Sequence, residues 1–335
     1  MKIGITFDLK AEEPSGSGLP DDFQEEFDSP ATIEAIASVL HGLGHDVIML
    51  GDGRELIQKL LADPPDFVFN FAEGQGIGRC REARVPAVLE MLGIPYTGSD
   101  PLTLAATLDK DCAKKLVQGE VPVPPSFLVR PEDDVALVCA CQHALVAFPA
   151  IVKPAWEGSS KGIHSKCLVD TPAELIAVVQ GLRQDYRQPI LVEEYVAGDE
   201  LTVGVLGNDP PQILGIMRVL PHQPGDRFVY SLEVKRDYLR QVRYEAPPLI
   251  PERDLEAVRR ATLAAHRLLG CRDVARIDFR LRHGVPYFLE VNPLPGLNPE
   301  TGDIVILAKM SGWSYEKLVA GVFHAALGRF EKVKG

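Results

Sequence analysis

The sequence lacks paired cysteines, an excess of basic charge and any long apolar run. Its six cysteines are scattered, without a Cys-x-x-Cys pair or a histidine spacing that would bind zinc, so we expect reduced thiols in a cytoplasm. The net charge of −12 argues against a general nucleic-acid binder, which needs clustered lysine and arginine. No stretch approaches the roughly eighteen apolar residues of a membrane span, and the opening MKIGITFDLK lacks the apolar core of a signal peptide.

The composition is that of an ordinary globular protein, with 46% hydrophobic and 24% charged residues, and a length of 335 residues suggests two or three domains. Over roughly the first hundred residues strands alternate with helices, which predicts an α/β domain with a doubly wound parallel sheet. Ligands of such sheets bind beyond the carboxyl ends of the strands. The predicted strands are Lys2–Phe7, His45–Leu50, Asp66–Phe71 and Ile94–Tyr96, and the predicted helices are Ser29–Leu43, Arg54–Leu61 and Ala83–Leu92.

The later part of the chain follows a different order, which predicts an α+β half. Between Phe127 and Val196 the elements recur as strand, helix, strand, loop, strand, helix and strand. An irregular segment of about thirty residues, Pro221–Ile250, is expected to be functional, because long loops in compact domains are seldom idle. The other predicted elements are helices at Asp109–Gln118 and Glu252–Leu269, strands at Leu201–Leu206 and Ile213–Leu220, a hairpin at Val274–Asn292 and two final helices.

The hairpin has an apolar face and a charged face. We expect a loop of three or five residues around His283-Gly284, with Gly284 at a positive φ. A one-residue slip would mix charges into the apolar row, so the hydrophobic pattern itself selects the register. The predicted facing pairs are Leu281 with Tyr287, Phe279 with Leu289 and Ile277 with Val291 on one face, and Arg276 with Asn292, Asp278 with Glu290 and Arg280 with Phe288 on the other.

This register brings Asp278, Glu290 and Asn292 together. Two facing carboxylates repel unless a cation lies between them, and two carboxylates with an amide suit Mg²⁺. The alternative is a solvated outer face of an ordinary hairpin. Arg276 on the same face, and the stiff loop Pro293–Gly302 that follows, favour the metal site.

Two further motifs suit a nucleotide. IVKPAWEGSSKG, from Ile151 to Gly162, joins a strand ending in Lys153 to a Gly-Ser loop that can donate backbone N–H groups to phosphate, although it lacks the P-loop spacing and alone could be a flexible turn. LVEEYVAGDE, from Leu191 to Glu200, can present backbone groups to a base and an acid to ribose, although alone it is equally consistent with a strand and a solvated turn. Gly74–Gly78 is a weaker phosphate signal.

Taken in order, these motifs resemble the ATP-grasp superfamily, and specifically the D-alanine–D-alanine ligases and their relatives. The matching pieces are IPYTGS with LDK, then IVKPAWEGSSKG, LVEEYVAGDELTV, ARIDF and FLEVNPLPGLNP. The resemblance extends from about Phe67 to Val319 and implies an ATP-grasp fold in three parts, residues 1–105, 106–196 and 197–335, with ATP between the last two.

The resemblance also implies a chemistry. ATP, with Mg²⁺ or Mn²⁺, would phosphorylate a carboxylate, and an amine would attack the acyl phosphate to give an amide, ADP and phosphate. The segment Pro221–Ile250 would exclude water as a lid. The partners would be amino acids or short peptides, with neither nucleic acid nor membrane, and a homodimer stays open.

By matching position, the resemblance assigns roles to individual residues. Arg276, Gly296, Lys235 and Ser160 would act on the reacting groups, and Asp278, Glu290 and Asn292 would hold the metal. ATP would contact Lys110, Lys153, Ser159, Ser160, Glu193, Glu194, Val196 and Glu200. Glu73, Arg236 and Thr301 would face the substrates.

Three departures from the ligases concern the substrates rather than ATP. Arg236 replaces the tyrosine that follows the lid lysine, and Glu73 replaces the histidine of a His-Gly pair. The acid that grips the first ammonium has no clean counterpart, with Glu26 and Asp28 as candidates. D-Alanine specificity is therefore open, and one hypothesis is that Arg236 favours an acidic or longer substrate.

Two other functions stay open from the sequence. A nucleotide-binding regulatory protein would keep the clasp without chemistry, but it would not need Arg276, Asp278, Glu290 and Asn292 together. A kinase-like phosphotransferase would phosphorylate a carboxylate or hydroxyl without the amine step. The nature of the product would separate these functions from the ligase.

Overall fold

Three sheets with their helices make up the computed structural model, which describes residues 1–10, 19–142, 145–223, 225 and 227–334, the last four by backbone alone. None of the described helices is long and apolar enough to cross a membrane.

The first sheet is parallel, in the order β2-β1-β3. Its predicted strands and helices are confirmed, except that Ile94–Tyr96 is no strand and makes only a bridge from Tyr96 to Val68. Ser29 caps the first helix by accepting from the Thr32 N–H, with Pro30 in the first turn. The elements are β1 (Lys2–Phe7), α1 (Pro30–Gly42), β2 (Asp46–Met49), α2 (Gly53–Ala62), β3 (Phe67–Phe71) and α3 (Arg84–Leu92).

The second sheet is antiparallel, in the order β4-β7-β5-β6. The predicted order of strands and helices is confirmed, and the helices cover one face through a core that includes Val152, Val179 and Leu182. The elements are β4 (Ser126–Val129), α6 (Val135–Gln142), β5 (Ala150–Pro154), β6 (Leu168–Val169), α7 (Pro172–Tyr186) and β7 (Ile190–Glu194).

Before this sheet come two helices, α4 (Pro101–Leu108) and α5 (Lys110–Val117). Only the second was predicted. Asp100 caps the start of α4 and Asp109 caps the start of α5, each by accepting a hydrogen bond from a backbone N–H. Asp109 therefore marks the short break at which α4 ends and α5 begins. Both helices contact the last strand of the third sheet and the helix that covers that sheet.

The third sheet is antiparallel, in the order β10-β9-β8-β11-β12. The prediction that Pro221–Ile250 is irregular is partly wrong, because this segment contains two short helices and an edge strand. Residues 224 and 226 of the segment lie outside the described part of the chain. The elements are β8 (Asp199–Leu206), β9 (Gln212–Pro221), α8 (Leu232–Arg236), α9 (Tyr238–Gln241), β10 (Val242–Glu245), α10 (Glu252–Leu269), β11 (Val274–Arg282), β12 (Val285–Asn292), α11 (Asp303–Met310) and α12 (Tyr315–Lys334).

The hairpin of β11 and β12 has the predicted register near the site and a different one near its turn. Arg276 faces Asn292 and Asp278 faces Glu290, as expected. Beyond a bulge at Asp278/Phe279, however, the predicted pairs are wrong: Phe279 faces Phe288, Arg280 faces Tyr287 and Leu281 faces Pro286. The turn has two residues rather than three or five, with φ of 53° at His283 and 77° at Gly284, as a type I′ turn requires.

The last helix joins the two ends of the chain. Phe323 of α12 is fully buried and meets the ring of Phe67 edge-on at 5.4 Å. The same core includes Ile36 of α1 and Ile5 of β1, so α1 and α12 cover one face of the first sheet while α2 and α3 cover the other. The C-terminal helix therefore completes the N-terminal sheet.

Candidate active site

Three adjoining cavities lie where the sheets meet, and every site residue expected from the sequence borders at least one of them. The central cavity lies between the second and third sheets and is bordered by Lys153, Val196 and Asp278. The inner cavity is bordered by Glu73, Lys110, Asn292 and Gly296. The outer cavity is bordered by Lys235, Arg236, Thr301 and Gly296. Arg276 borders all three.

The charged face of the hairpin forms the boundary between the central and inner cavities. Asp278 accepts hydrogen bonds from the Thr202 hydroxyl at 2.9 Å and from Nη2 of Arg276 at 2.9 Å. The amide nitrogen of Asn292 lies 3.5 Å from the same carboxylate. Glu290 pairs with the ammonium of Lys110 at 2.8 Å. Cations from two elements therefore relieve the repulsion between the two facing carboxylates.

The two carboxylates differ in their affinity for protons. Burial disfavours the charged form of both, but Lys110, Lys153 and Arg276 outweigh it at Glu290 and lower its pKa. At Asp278, burial and the nearby charge of Glu290 outweigh Arg276 and raise the pKa. Glu290 is thus firmly anionic, as a ligand for a cation must be.

A hard divalent cation suits the side chains at this boundary. Asp278, Glu290 and Asn292 supply two carboxylates and one amide oxygen from neighbouring positions of two paired strands. Within the described residues, no three His, Cys, Asp or Glu side chains form a metal-binding group, so a site here would use the amide of Asn292 as its third side-chain donor. The donors fit Mg²⁺, which takes one or two carboxylates and completes its shell with water and phosphate.

A buried carboxylate in the wall of the central cavity binds two lysines, of which Lys153 also borders the cavity. Glu193, on β7, pairs with Lys153 at 2.5 Å and with Lys114 at 3.0 Å. Burial lowers the pKa of Lys114 to about 8, although Glu193 opposes that shift. Lys114 was missed from the sequence, but it lies four residues after Lys110 on α5 and hence on the same helix face, a spacing that would have revealed it.

The crossing from β7 to β8 forms the far wall of the central cavity. Val196 is buried there, and Glu194 pairs with Arg282 at 2.6 Å. Glu200 pairs with Arg280 at 2.7 Å, and the guanidinium of Arg280 also lies 5.3 Å from the ring centre of Tyr195. Arg280 was missed as a site residue even though it was predicted on the charged face of the hairpin.

The Gly-Ser loop after β5 closes over the boundary between the cavities. Ser159 and Ser160 both have left-handed backbones, with φ of 50° and 60°, which is uncommon for residues other than glycine. The Ser160 hydroxyl donates to the Tyr230 carbonyl at 3.3 Å, which ties the loop to the lid segment. A Cβ on Gly158 would meet Oε1 of Glu26 at 2.9 Å, so glycine is needed for the approach of that acid.

A buried ionic network lies behind the inner cavity. Arg81, 2% exposed, donates from Nη2 to both oxygens of Glu26, at 2.9 and 2.7 Å, and to Glu157 at 3.1 Å. Lys161 pairs with the same two acids, at 3.2 and 2.6 Å. Glu26, a candidate for gripping the first ammonium, is thus held by two of the chain's own cations, which together outweigh burial and lower its pKa to about 2.

Two more acids, Glu73 and Glu82, also line the inner cavity. Glu73 is one of the predicted substrate residues and is half-buried, whereas Glu82 is 7% exposed and was missed. Arg81 and Glu82 were missed because they stand outside recognisable motifs, with the alternation of charge in the run RCREA as their local signal. Glu157 lies within the motif IVKPAWEGSSKG but was given no role there.

The outer cavity contains the lid and the end of the stiff loop. Arg276 pairs with Asp303 at 3.1 Å, and Lys235 lies 4.0 Å from the same acid. Asp303, the first residue of α11, was missed. Thr301 is exposed, and its backbone N–H donates to the Asn298 side chain.

Arg236, expected to face a substrate, is bound by acids of the chain itself. Its guanidinium pairs with Glu25 at 2.9 Å and with Asp21 at 2.9 Å. Asp28, the other candidate for the first ammonium, borders the outer cavity rather than the inner one, and burial raises its pKa to about 6. The lid is therefore joined to the N-terminal segment beside the cavity.

Comparison with known proteins gives consistent matches along the chain. A family model described as the D-Ala D-Ala ligase C-terminus matches residues 116–324. An uncharacterized protein of Sinorhizobium fredii is 33% identical over 313 residues, which cover 89% of this chain and 88% of that protein. The D-alanine–D-alanine ligase of Moorella thermoacetica is 32% identical over 304 residues, covering 88% of this chain and 92% of that enzyme.

Solved structures match the fold. The D-alanine–D-alanine ligase of Bacillus anthracis, complexed with ATP, gives a TM-score of 0.75 at 23% identity over the whole of both chains. The VanG D-Ala:D-Ser ligase of Enterococcus faecalis gives 0.70 at 20% identity, covering 97% of this chain and 99% of that one. The predicted ATP-grasp fold is thereby confirmed, and the family match confirms the predicted relationship: the chain belongs to the D-alanine–D-alanine ligase family of ATP-dependent ligases.

Proposed function

We propose that the protein joins the carboxylate of one amino acid to the amine of a second amino acid or short peptide, by way of an acyl phosphate. The observation that carries the proposal is the position of Arg276, which borders the central, inner and outer cavities at once. A guanidinium at that junction can stabilise negative charge on a phosphoryl group passing from one cavity to a carboxylate in the next.

The central cavity is the proposed ATP site. Lys110 and Lys153 would contact the phosphates, with Ser159 and Ser160 in the loop above them. Glu193, Glu194 and Val196 would border the base, and Glu200 the ribose. Glu193 fixes the position of Lys153, so the positive charge is preorganised before nucleotide binds.

Asp278, Glu290 and Asn292 would hold Mg²⁺ or Mn²⁺ at the boundary with the inner cavity. The metal, when bound, offsets negative charge on the ATP phosphates. Glu290 pairs with Lys110 in the structure. This ion pair would hold the ammonium of Lys110 beside the metal, so that both could contact the same phosphates.

The reaction then follows from the order of the cavities. A carboxylate oxygen in the inner cavity attacks the terminal phosphorus while the bond to ADP breaks, and Arg276 and the Gly296 N–H stabilise the developing charge. An amine in the outer cavity next attacks the acyl carbon, phosphate leaves, and the nitrogen loses a proton to give the amide. Lys235 and the lid would shield the acyl phosphate from water.

The experiment offers purified protein ATP and Mg²⁺ together with D-alanine, other amino acids and dipeptides. ADP release is followed by a coupled assay, and products are identified by mass spectrometry. We expect an amide product and one ADP per bond formed. A phosphorylated product without amide would indicate the phosphotransferase instead, and nucleotide binding without turnover on any substrate would overturn the proposal.

We also propose that the reaction takes place in the cytoplasm, with Mg²⁺ as the resident metal. A homodimer is proposed as well, and sedimentation or light scattering of the purified protein would test it.

A further inference from the structure

We infer that the inner cavity takes a first substrate with two amino groups, a diamino acid whose carboxylate points to Arg276 and whose amines reach Glu73 and Glu82. The inference rests on the proposed function and names its substrate class. A family member with a neutral first substrate needs only one acid for one ammonium, whereas this cavity has more.

The wall of the inner cavity is rich in acidic side chains. Four carboxylates belong to its wall: Glu26, Glu73, Glu82 and Glu157. Arg81 and Lys161 are the cations behind that wall, and both pair with Glu26 and Glu157. Within the described part of the chain, Glu73 and Glu82 form no ion pair, although the charge of Arg81 acts on both.

Glu73 and Glu82 also lack hydrogen-bond partners within the described part of the chain. Neither side chain has a hydrogen-bond or ion-pair partner among the described residues, although Glu82 is 7% exposed and Glu73 is half-buried. Buried carboxylates without partners are costly, and such groups in a cavity wall indicate a ligand that completes them. An ammonium group is the ligand that suits a carboxylate best.

Glu26 is not free to bind the substrate's ammonium, because groups of the chain occupy both of its oxygens. Both of its oxygens accept from Arg81, one also faces Lys161 and the other receives the Gly158 N–H. With its acceptor sites used by the chain, Glu26 serves to hold the phosphate loop in place. Recognition of the substrate's ammonium then passes to Glu73 and Glu82.

Cationic side chains also line the inner cavity. Lys110, Arg276 and the loop at Gly296 belong to its wall, next to the metal-binding face of the hairpin. A substrate with one carboxylate and two amines matches this lining in charge, because the carboxylate can meet Arg276 and the amines can meet Glu73 and Glu82. A single ammonium would satisfy one of the two free acids and leave the second unpaired.

Proton affinity agrees with this geometry. Burial, aided by the charge of neighbouring acids, raises the pKa of Glu73 and outweighs Arg81 at Glu82, where the pKa rises to about 8. Near pH 7 Glu82 therefore holds a proton when no ligand cation is present, and Glu73 is shifted in the same direction. A bound diamino acid would replace protons with ammonium groups, and protons would be released on binding.

The test compares first substrates on the unaltered protein. With ATP, Mg²⁺ and a fixed acceptor amine, the panel holds D and L forms of alanine, 2,3-diaminopropionate, ornithine, lysine and glutamate. We expect kcat/KM for one of the three diamino acids to exceed that for alanine at least about tenfold. Calorimetry in buffers of different ionisation enthalpy should show more protons released by that diamino acid than by alanine.

Two variants test whether Glu73 and Glu82 cause the preference for a diamino acid. Glu82→Gln and Glu73→Gln should each reduce the ratio of diamino acid to alanine about tenfold or more, while Glu34→Gln, an exposed acid on α1, should leave it unchanged. Thermal unfolding checks that each variant folds; if one does not, the substrate panel on the unaltered protein still decides.

Two outcomes are kept apart by this design. Equal or better use of alanine, or a preference that survives both substitutions, overturns the diamino-acid inference and leaves the ligase proposal standing. Failure of every amino acid to stimulate ADP release and amide formation overturns the proposed function itself.

Discussion

At the scale of single residues, the site contains charged side chains that form ion pairs with side chains of opposite charge. Glu290 has Lys110, Asp278 has Arg276, and Glu193 has two lysines. In a buried setting such pairs contribute little net stability, but the loss of one partner leaves an uncompensated charge. Substitutions that keep shape and remove charge are therefore the informative ones.

Glu290→Gln tests the metal assignment. The amide keeps the shape but removes the anion that would bind the metal and orient Lys110, so we expect kcat/KM to fall at least about a hundredfold. Circular dichroism and the Mg²⁺ dependence of turnover are measured beside Glu256→Gln, an exposed control on α10. A fully active Glu290→Gln would refute the assignment.

His266 gives a prediction about pH that is independent of the site. It is 3% exposed, and burial lowers its pKa from 6.5 to about 4. Since the unfolded chain takes up the proton first, stability is present above pH 6.5 and is lost as pH falls toward 4, by up to about 3 kcal/mol.

Urea unfolding of the unaltered protein and His266→Leu at pH 7 and pH 4.5 checks this. The unaltered protein should lose more unfolding free energy than the variant as pH falls, because it alone has His266 to protonate on unfolding. Every other titrating group is common to both proteins, so the difference between them reports His266. Parallel curves at the two pH values would contradict the assignment.

At the scale of elements, the hairpin shows how far sequence reasoning reaches. The alternation of charged and apolar residues correctly predicted that Asp278 faces Glu290, because one buried face fixes the register there. The bulge and the two-residue turn were missed, and their effects on register cancel near the site. Neither has a strong local signal, since His283 is not a typical residue for a left-handed turn position.

The lid is the element whose role the sequence described least well. The helices α8 and α9 are too short to be recognised from periodicity, and the ion pairs of Arg236 with Asp21 and Glu25 join residues more than two hundred positions apart. Distance along the chain also kept Arg81 out of the predicted site, because it lies 55 positions from Glu26 and 76 from Glu157. Motifs report local chemistry, whereas these partners meet only in the folded chain.

Arg236→Ala tests whether those ion pairs hold the lid closed. The pairs are half-exposed and each contributes at most about 1 kcal/mol, so we expect ADP release without amide formation to rise about two- to fivefold. The ratio of ADP to amide is the measurement, with Arg240→Ala, 86% exposed on α9, as control. An unchanged ratio with an altered acceptor preference would instead support contact between Arg236 and the substrate.

At the scale of the whole molecule, contacts between distant parts of the chain decide the architecture. The predicted limits of the three parts, 1–105, 106–196 and 197–335, stay a prediction, because α5 packs on the third sheet and α12 on the first. Fold class was predictable because the order of strands and helices is local information. Which helix covers which sheet was not.

Phe323→Ala tests the link between the two ends of the chain. The ring is fully buried between α12 and the first sheet, and its removal should cost about 3–5 kcal/mol in the free energy of unfolding. Denaturant titration is the measurement, and Phe323→Leu should cost clearly less. A loss below about 1 kcal/mol for alanine would show that the end helix adds little to the core.

The position of α12 also has a consequence for synthesis. On the ribosome, β1 to β3 emerge early, but the helix that covers one face of their sheet is made only after some two hundred and forty further residues. At typical elongation rates that delay is on the order of ten seconds to a minute. During it, Ile33, Ile36 and Leu40 of α1 lack part of their native cover. Nascent chains should therefore be bound by chaperones, and chains halted before Phe323 should be degraded by proteases.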